Sequence, residues 1–246
     1  MEQARKMEKS QWRGICCFLS LESLFFFLFF FSDRYGQTLL LPSTVWKFFV
    51  IAGAFCYVAL EFSSTNQDDP LFRRRFLLVP AMLFTLISDV FLLVLEDHYT
   101  LGVCTFFAAQ IFHALQIRRS KKQAVISFSL RFGATFVALA VLGPLKLFLQ
   151  LYVATAFYAP QLIGNLIEHL FGAFRTVEPE EKRRSILLSI GFVLFLACDV
   201  CVGLSSVGVA GVGYWIWIFY APSQVLIAVS GGRFAQGKRR IDQSVN

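Results

Sequence analysis

The chain has 246 residues, of which 57% are hydrophobic, 16% aromatic and 16% charged, with 29 phenylalanines and a mean hydropathy of +0.62. A soluble domain of this size cannot keep so much apolar surface from water, so lipid is the expected solvent. The net charge of +7 does not mark a nucleic-acid partner, because no basic face interleaves with exposed stacking aromatics.

A membrane-spanning helix needs about 20 mostly apolar residues, since each residue rises about 1.5 Å and the hydrocarbon core is about 30 Å thick. Eight such stretches run approximately over 14–31, 42–62, 76–95, 101–118, 124–142, 144–170, 184–204 and 208–229. They are continuously apolar rather than alternating, which favours helices over a barrel. The expected architecture is all-α, a single transmembrane domain over 1–246 with tails at 1–13 and 231–246.

The first stretch follows Arg5, Lys6, Lys9 and Arg13, as a secretion signal would. It lacks a small-residue cleavage site, and Asp33-Arg34-Tyr35 follows the run Phe25–Phe31, so a retained span is expected. Further basic residues cluster after every second span. They are Arg73, Arg74 and Arg75; Arg118, Arg119, Lys121 and Lys122; Arg175, Lys182, Arg183 and Arg184; and Arg233, Lys238, Arg239 and Arg240. The opposite side has only Arg34 and Lys146, and Lys47 and Arg131 fall inside spans. Excess Lys and Arg mark the cytoplasmic side, so both termini are expected there. With no eukaryotic targeting signal evident, a bacterial inner membrane is the expected location.

Two halves of the chain share one arrangement. One span carries an acid in Thr-Leu-Ile-Ser88-Asp89-Val-Phe-Leu-Leu, and the next carries Phe106-Phe-Ala-Ala-Gln110-Ile-Phe-His113 before a basic segment. Downstream, Cys198-Asp199 precedes a glycine-rich loop and then Trp217-Ile-Phe-Tyr220-Ala-Pro-Ser-Gln224. Both copies enter from the same side, which predicts two parallel four-helix repeats, approximately 14–118 and 124–229, about an axis along the membrane normal.

An acid within a transmembrane helix costs roughly 2.5–3.5 kcal/mol on insertion scales, so Asp89 and Asp199 need a reason. Either each locks helices by pairing with a group such as Lys47 or Arg131, or the two share a functional cavity. Tyr158, Gln161, Asn165 and Glu168 lie on one face of the sixth span, at i, i+3, i+7 and i+10. Gln110, His113 and Gln116 form a similar stripe on the fourth, and Tyr220 and Gln224 on the eighth. Interhelical hydrogen bonding or the lining of a polar cavity would each account for these stripes. Glu61, Glu168, His98 and His169 are read as lying at span ends, where water is near. The six cysteines, Cys198 and Cys201 among them, read as small apolar fillers. No metal-ligand spacing, phosphate loop or nucleophile elbow is present, so neither a metal nor another cofactor is expected.

The blocks Ser88-Asp89-Val-Phe-Leu-Leu through Gln110, and Leu194-Phe-Leu-Ala-Cys-Asp199 through Phe219-Tyr220-Ala-Pro-Ser-Gln224-Val-Leu-Ile-Ala-Val-Ser230, resemble the YhhN-type lysoplasmalogenase family of eight-helix membrane proteins. The chain departs from the family pattern in having Ser88-Asp89 and Cys198-Asp199 where Gly-Asp is frequent. Gln110 replaces a family histidine and His113 a tyrosine, which moves the titratable group by one helical turn.

The resemblance implies hydrolysis of the vinyl-ether bond of lysoplasmalogens, to an aldehyde and a glycerophospho-base. A vinyl ether is protonated on its outer alkene carbon, and water captures the resulting oxocarbenium ion as a hemiacetal that collapses. One carboxyl must donate a proton while the other, ionised, steadies the cation and takes a proton from water. The resemblance thus gives Asp89 and Asp199 the catalytic roles. Lys47, Gln110, His113, Tyr158, Asn165, Tyr220 and Gln224 would contact the lysophospholipid or its water. Two other classes fit the same layout: a secondary transporter, whose helices would be broken by Gly or Pro at matching places, and a lipid-binding bundle without turnover.

Overall fold

In the computed structural model, residues 2–35, 41–69, 71–95, 98–117, 119–145 and 148–232 are described, with side chains from Trp12 onward. Lys146 and the C-terminal basic cluster lie outside the described residues. The fold is all-α. Its helices are α1 (Glu2–Tyr35), α2 (Ser43–Ser63), α3 (Phe72–Asp89), α4 (Tyr99–Gln116), α5 (Lys121–Leu142), α6 (Leu149–Arg175), α7 (Pro179–Ser206) and α8 (Gly213–Ser230). Each expected stretch coincides with one of them.

Local chemistry sets several ends. Ser120 and Gln123 close a reciprocal capping box at the start of α5, with Gln123 N–H donating to Ser120 Oγ and Ser120 N–H to Gln123 Oε1. Pro179 occupies the first turn of α7 with Glu180 and Glu181, matching the positive end of the helix dipole. Between α7 and α8, Gly208 and Gly211 take positive φ angles of 84° and 77°, a backbone that side chains resist.

Helices consecutive in the chain run antiparallel, the ring neighbours α4 and α6 run parallel, as do α8 and α2, and the packing order is closed. α2, α3, α4, α6, α7 and α8 form a ring, each touching the next, and α8 returns to α2. α1 lies outside against α2, and α5 lies outside against α6. Arg73, Arg74, Arg75, Arg119, Arg175 and Arg184 gather at one end of the ring, called here the basic end. The opposite end carries the loops that follow α1, α3, α5 and α7.

Among the described residues, five helical segments are long and apolar enough to cross a membrane: Trp12–Tyr35, Ser43–Ser63, Phe72–Val94, Lys121–Leu142 and Pro179–Ser206. α4, α6 and α8 are outside that set, and these are the helices carrying the Gln110, Asn165 and Gln224 stripes. Polar side chains facing the ring interior lower their mean hydropathy, while their outer faces remain apolar: Phe157, Ile163 and Trp215 are exposed.

Candidate functional site

The two acids sit at one level of the ring. Asp89 is the last residue of α3, directly before a π-helical turn, Val90–Val94, a departure from α geometry that recurs at functional sites. Asp199 lies seven residues before the end of α7, Tyr220 seven into α8, Phe106 seven into α4 and Tyr158 nine into α6. At 1.5 Å per residue, all lie about 8 to 14 Å below the ends opposite the basic end.

Among the described residues, neither acid meets a cation. Tyr220 Oη donates to Asp89 Oδ2 at 2.7 Å, and Tyr158 Oη donates to Asp199 Oδ2 at 2.5 Å. Each bond leaves Oδ1 outside it. Asp89 is buried and Asp199 half-buried. Phe106 stands between the two tyrosines, its ring 6.1 Å from that of Tyr158 and 6.2 Å from that of Tyr220, and Phe195 closes on Phe106 at 5.4 Å. Two carboxyls, each with its rotamer fixed by a phenol and flanking an apolar divider, make a pair of preset proton acceptors or donors.

The turn behind Asp89 is fitted closely. Ser88 Oγ donates to the Gly102 carbonyl at 2.6 Å, and a Cβ on Gly102 would come within 2.5 Å of Leu92. Only glycine lets α4 approach the π turn this far.

Lys47 approaches the pair from α2. Its Nζ bonds Asp33 at 2.6 Å and lies 5.5 Å from the centre of the Trp217 ring, which is 5.2 Å from Tyr220. An open cleft of about 790 Å³ lies at the starts of α4 and α6, lined by residues that include His98, Leu101, Phe148 and Gln150. It sits on the same side as the acids, above Phe106 and Tyr158.

The remaining polar residues form a separate layer closer to the basic end. Asn165 Nδ2 donates to both the main-chain and side-chain oxygens of Gln110, each at 2.9 Å. Arg131 Nη1 donates to Asn165 Oδ1 at 2.9 Å and to the main-chain and side-chain oxygens of Gln161 at 3.1 Å, while Nη2 pairs with Glu168 at 3.1 Å. Ser127 and Arg119 complete the Glu168 shell. His113 pairs with Gln116 through Nδ1, and Gln224 Nε2 donates to its neighbour Ser223. Of the sequence-named residues, Tyr158 and Tyr220 thus meet the acids directly, Lys47 lies two ring contacts from Tyr220, and Gln110 and Asn165 bind one another. Arg131 serves the α4–α5–α6 network, and Lys47 serves Asp33.

Three residues have surroundings that sequence reading missed. His169 is buried, stacked 5.5 Å from Phe192, because α6 runs on to Arg175, past its expected end at 170. Trp217 carries the contact between Lys47 and Tyr220. Glu22, on α1, is buried beside Gly53 of α2, and both its carboxyl oxygens are unpartnered among the described residues. Its signal was an acid inside an apolar run, as plain as Asp89 but unrepeated. Among the described residues, no group of three His, Cys, Asp or Glu side chains is placed to hold a metal ion.

The YhhN family model matches residues 42–231, from the start of α2 to the end of α8. The chain belongs to the YhhN family. No curated protein and no solved structure matches it. The YhhN match takes in the whole six-helix ring with α5, and with it Asp89, Asp199, both tyrosines and Phe106; α1 with Glu22 lies before it.

Proposed function

We propose that this YhhN protein is a membrane-embedded hydrolase that cleaves the vinyl-ether bond of lysoplasmalogens. The observation that carries the reading is the pair Asp89–Tyr220 and Asp199–Tyr158, at one level on either side of Phe106. Acid-catalysed vinyl-ether hydrolysis needs one proton donor and one anionic partner, and two carboxyls in different surroundings suit that division. The alkenyl bond would lie against Phe106 between the two Oδ1 atoms. Lys47 and the cleft above would receive the phosphate and its base.

The wider reading has eight spans in one transmembrane domain, two parallel repeats, and both termini in the cytoplasm of a bacterial inner membrane. The packing order supports the repeats: α1–α2, α2–α3, α3–α4 and α4–α6 correspond to α5–α6, α6–α7, α7–α8 and α8–α2. Phe106 and Tyr220 are then counterparts, each seven residues into its helix, as are Gln110 and Gln224 at eleven. The transporter alternative calls for matched helix breaks. Pro80, Pro160 and Pro222 lie inside continuous helices, and none has a proline counterpart in the other half.

The test is product analysis with purified protein. A lysophospholipid with a 1-alkenyl chain should release fatty aldehyde, and its 1-acyl analogue should remain intact. Fatty acid from the acyl lipid, with no aldehyde from the alkenyl one, would overturn the assignment.

A further inference from the structure

Most basic side chains at the basic end face water. Arg73, Lys182 and Arg183 are exposed, and such residues suffice to orient a membrane protein. Arg75 and Arg184 turn inward instead, with only 2% and 5% of their surface accessible. Arg75 is anchored: its Nε donates to the Gly231 carbonyl at the end of α8, and its Nη1 donates to Thr65 and Asp69. Arg184 has no hydrogen bond or ion pair among the described residues, and its Nη2 is buried without a partner.

The charges around Arg184 deepen the imbalance. It lies within electrostatic range of Arg74, Arg75, Glu181 and Asp69. Both carboxylates are already engaged, Glu181 by Arg74 at 2.5 Å and Asp69 by Arg75 at 3.2 Å. Three guanidiniums therefore share two occupied carboxylates, at a place where α3 and α7 face each other across the ring rather than packing as neighbours. An isolated buried charge is expensive, and the group that satisfies a guanidinium edge best is a planar or tetrahedral oxyanion taking two parallel hydrogen bonds.

We propose that Arg184, with Arg74 and Arg75, forms a phosphate-binding site at the basic end of the ring, between α3 and α7. The site is remote from Asp89 and Asp199: fifteen residues of α7 separate Arg184 from Asp199, about 22 Å. It is independent of the hydrolytic reading, and it takes the phosphate of a phospholipid in the adjoining leaflet or a free phosphate ion.

The full-length protein in neutral detergent tests this by its thermal midpoint. Inorganic phosphate is compared with chloride at equal ionic strength, and micelles doped with phosphatidylglycerol are compared with micelles doped with diacylglycerol. The wild-type midpoint should rise with at least one phosphate-bearing additive. A rise with inorganic phosphate assigns the site to the free ion, and a rise with phosphatidylglycerol alone assigns it to a lipid head group. Arg184→Met, relieved of a lone buried charge, should melt higher than wild type without additive and should not respond to phosphate. Arg184→Lys keeps the charge without the fork and should need at least tenfold more phosphate for half its effect. A wild type indifferent to both additives, or variants that respond as wild type does, would overturn the proposal.

Discussion

Tyr220 on α8 donates its hydroxyl proton to Asp89 at the end of α3, 131 residues away in sequence, at 2.7 Å. Phe106, likewise seven residues into its helix, α4, has no hydroxyl to offer Asp199, and Tyr158 of α6 makes that bond instead. The two carboxyls are therefore held by different helices, although the packing order around them repeats.

Removing either hydroxyl leaves a carboxyl free to turn. Tyr220→Phe and Tyr158→Phe should each lower turnover on the order of 10²-fold, the scale of a misplaced catalytic group, with KM little changed. Tyr220→Phe should also cost about 1–3 kcal/mol of stability, because Asp89 is buried; Tyr158→Phe should cost less, since Asp199 is half-buried. Steady-state kinetics and thermal melting read both effects, and unchanged turnover in both variants would remove the tyrosines from the site.

Gly102→Ala would place a methyl group 2.5 Å from Leu92, inside the π turn that follows Asp89. Overpacking of this kind costs about 1–3 kcal/mol, and the displaced turn adjoins Asp89, the proposed catalytic carboxyl, so activity should fall further than stability. Gly133→Ala, with nothing within 4 Å of the new methyl, is the control and should be neutral or stabilising.

The Arg131 network has a stability signature of its own. Arg131→Met strands Gln161 and Asn165 and weakens the Glu168 shell, with an expected loss of about 3–5 kcal/mol. Arg131→Met with Glu168→Leu should recover much of that loss. A double-mutant cycle on thermal or denaturant unfolding gives the coupling, and strict additivity would mean that the pair is not coupled.

The proposed orientation predicts opposite reporter behaviour at two points. Green fluorescent protein fused at the C-terminus should fluoresce in a bacterial host. Alkaline phosphatase fused after Ala210, in the α7–α8 loop, should be active. Reversal of either result would break the placement of the basic end in the cytoplasm.

The helices were legible because lipid leaves a long uniform signal: an apolar run of some twenty residues has few other uses. The acids and tyrosines were legible as costly groups in that background. Their pairing was not, because Asp89 could be matched to Tyr220 only once α8 was known to close the ring beside α2 and α3. The π turn was hidden because Val-Phe-Leu-Leu-Val reads as ordinary apolar helix, and the residue that makes room for it is Gly102 on the next helix. Glu22 went unread since it has no repeat-mate of the same type. By chain distance, its counterpart relative to Asp199 is close to Arg131, which likewise points at a glycine, Gly164, on the adjacent helix.

The most direct measurement is aldehyde release from a 1-alkenyl lysophospholipid by the purified wild-type protein and by Asp89→Asn and Asp199→Asn. The wild type should release aldehyde continuously, and both variants should fall by at least the 10²–10⁴-fold expected of a lost acid or base while remaining folded. Full activity in either variant, or no aldehyde from the wild type, would contradict a reaction carried by this pair.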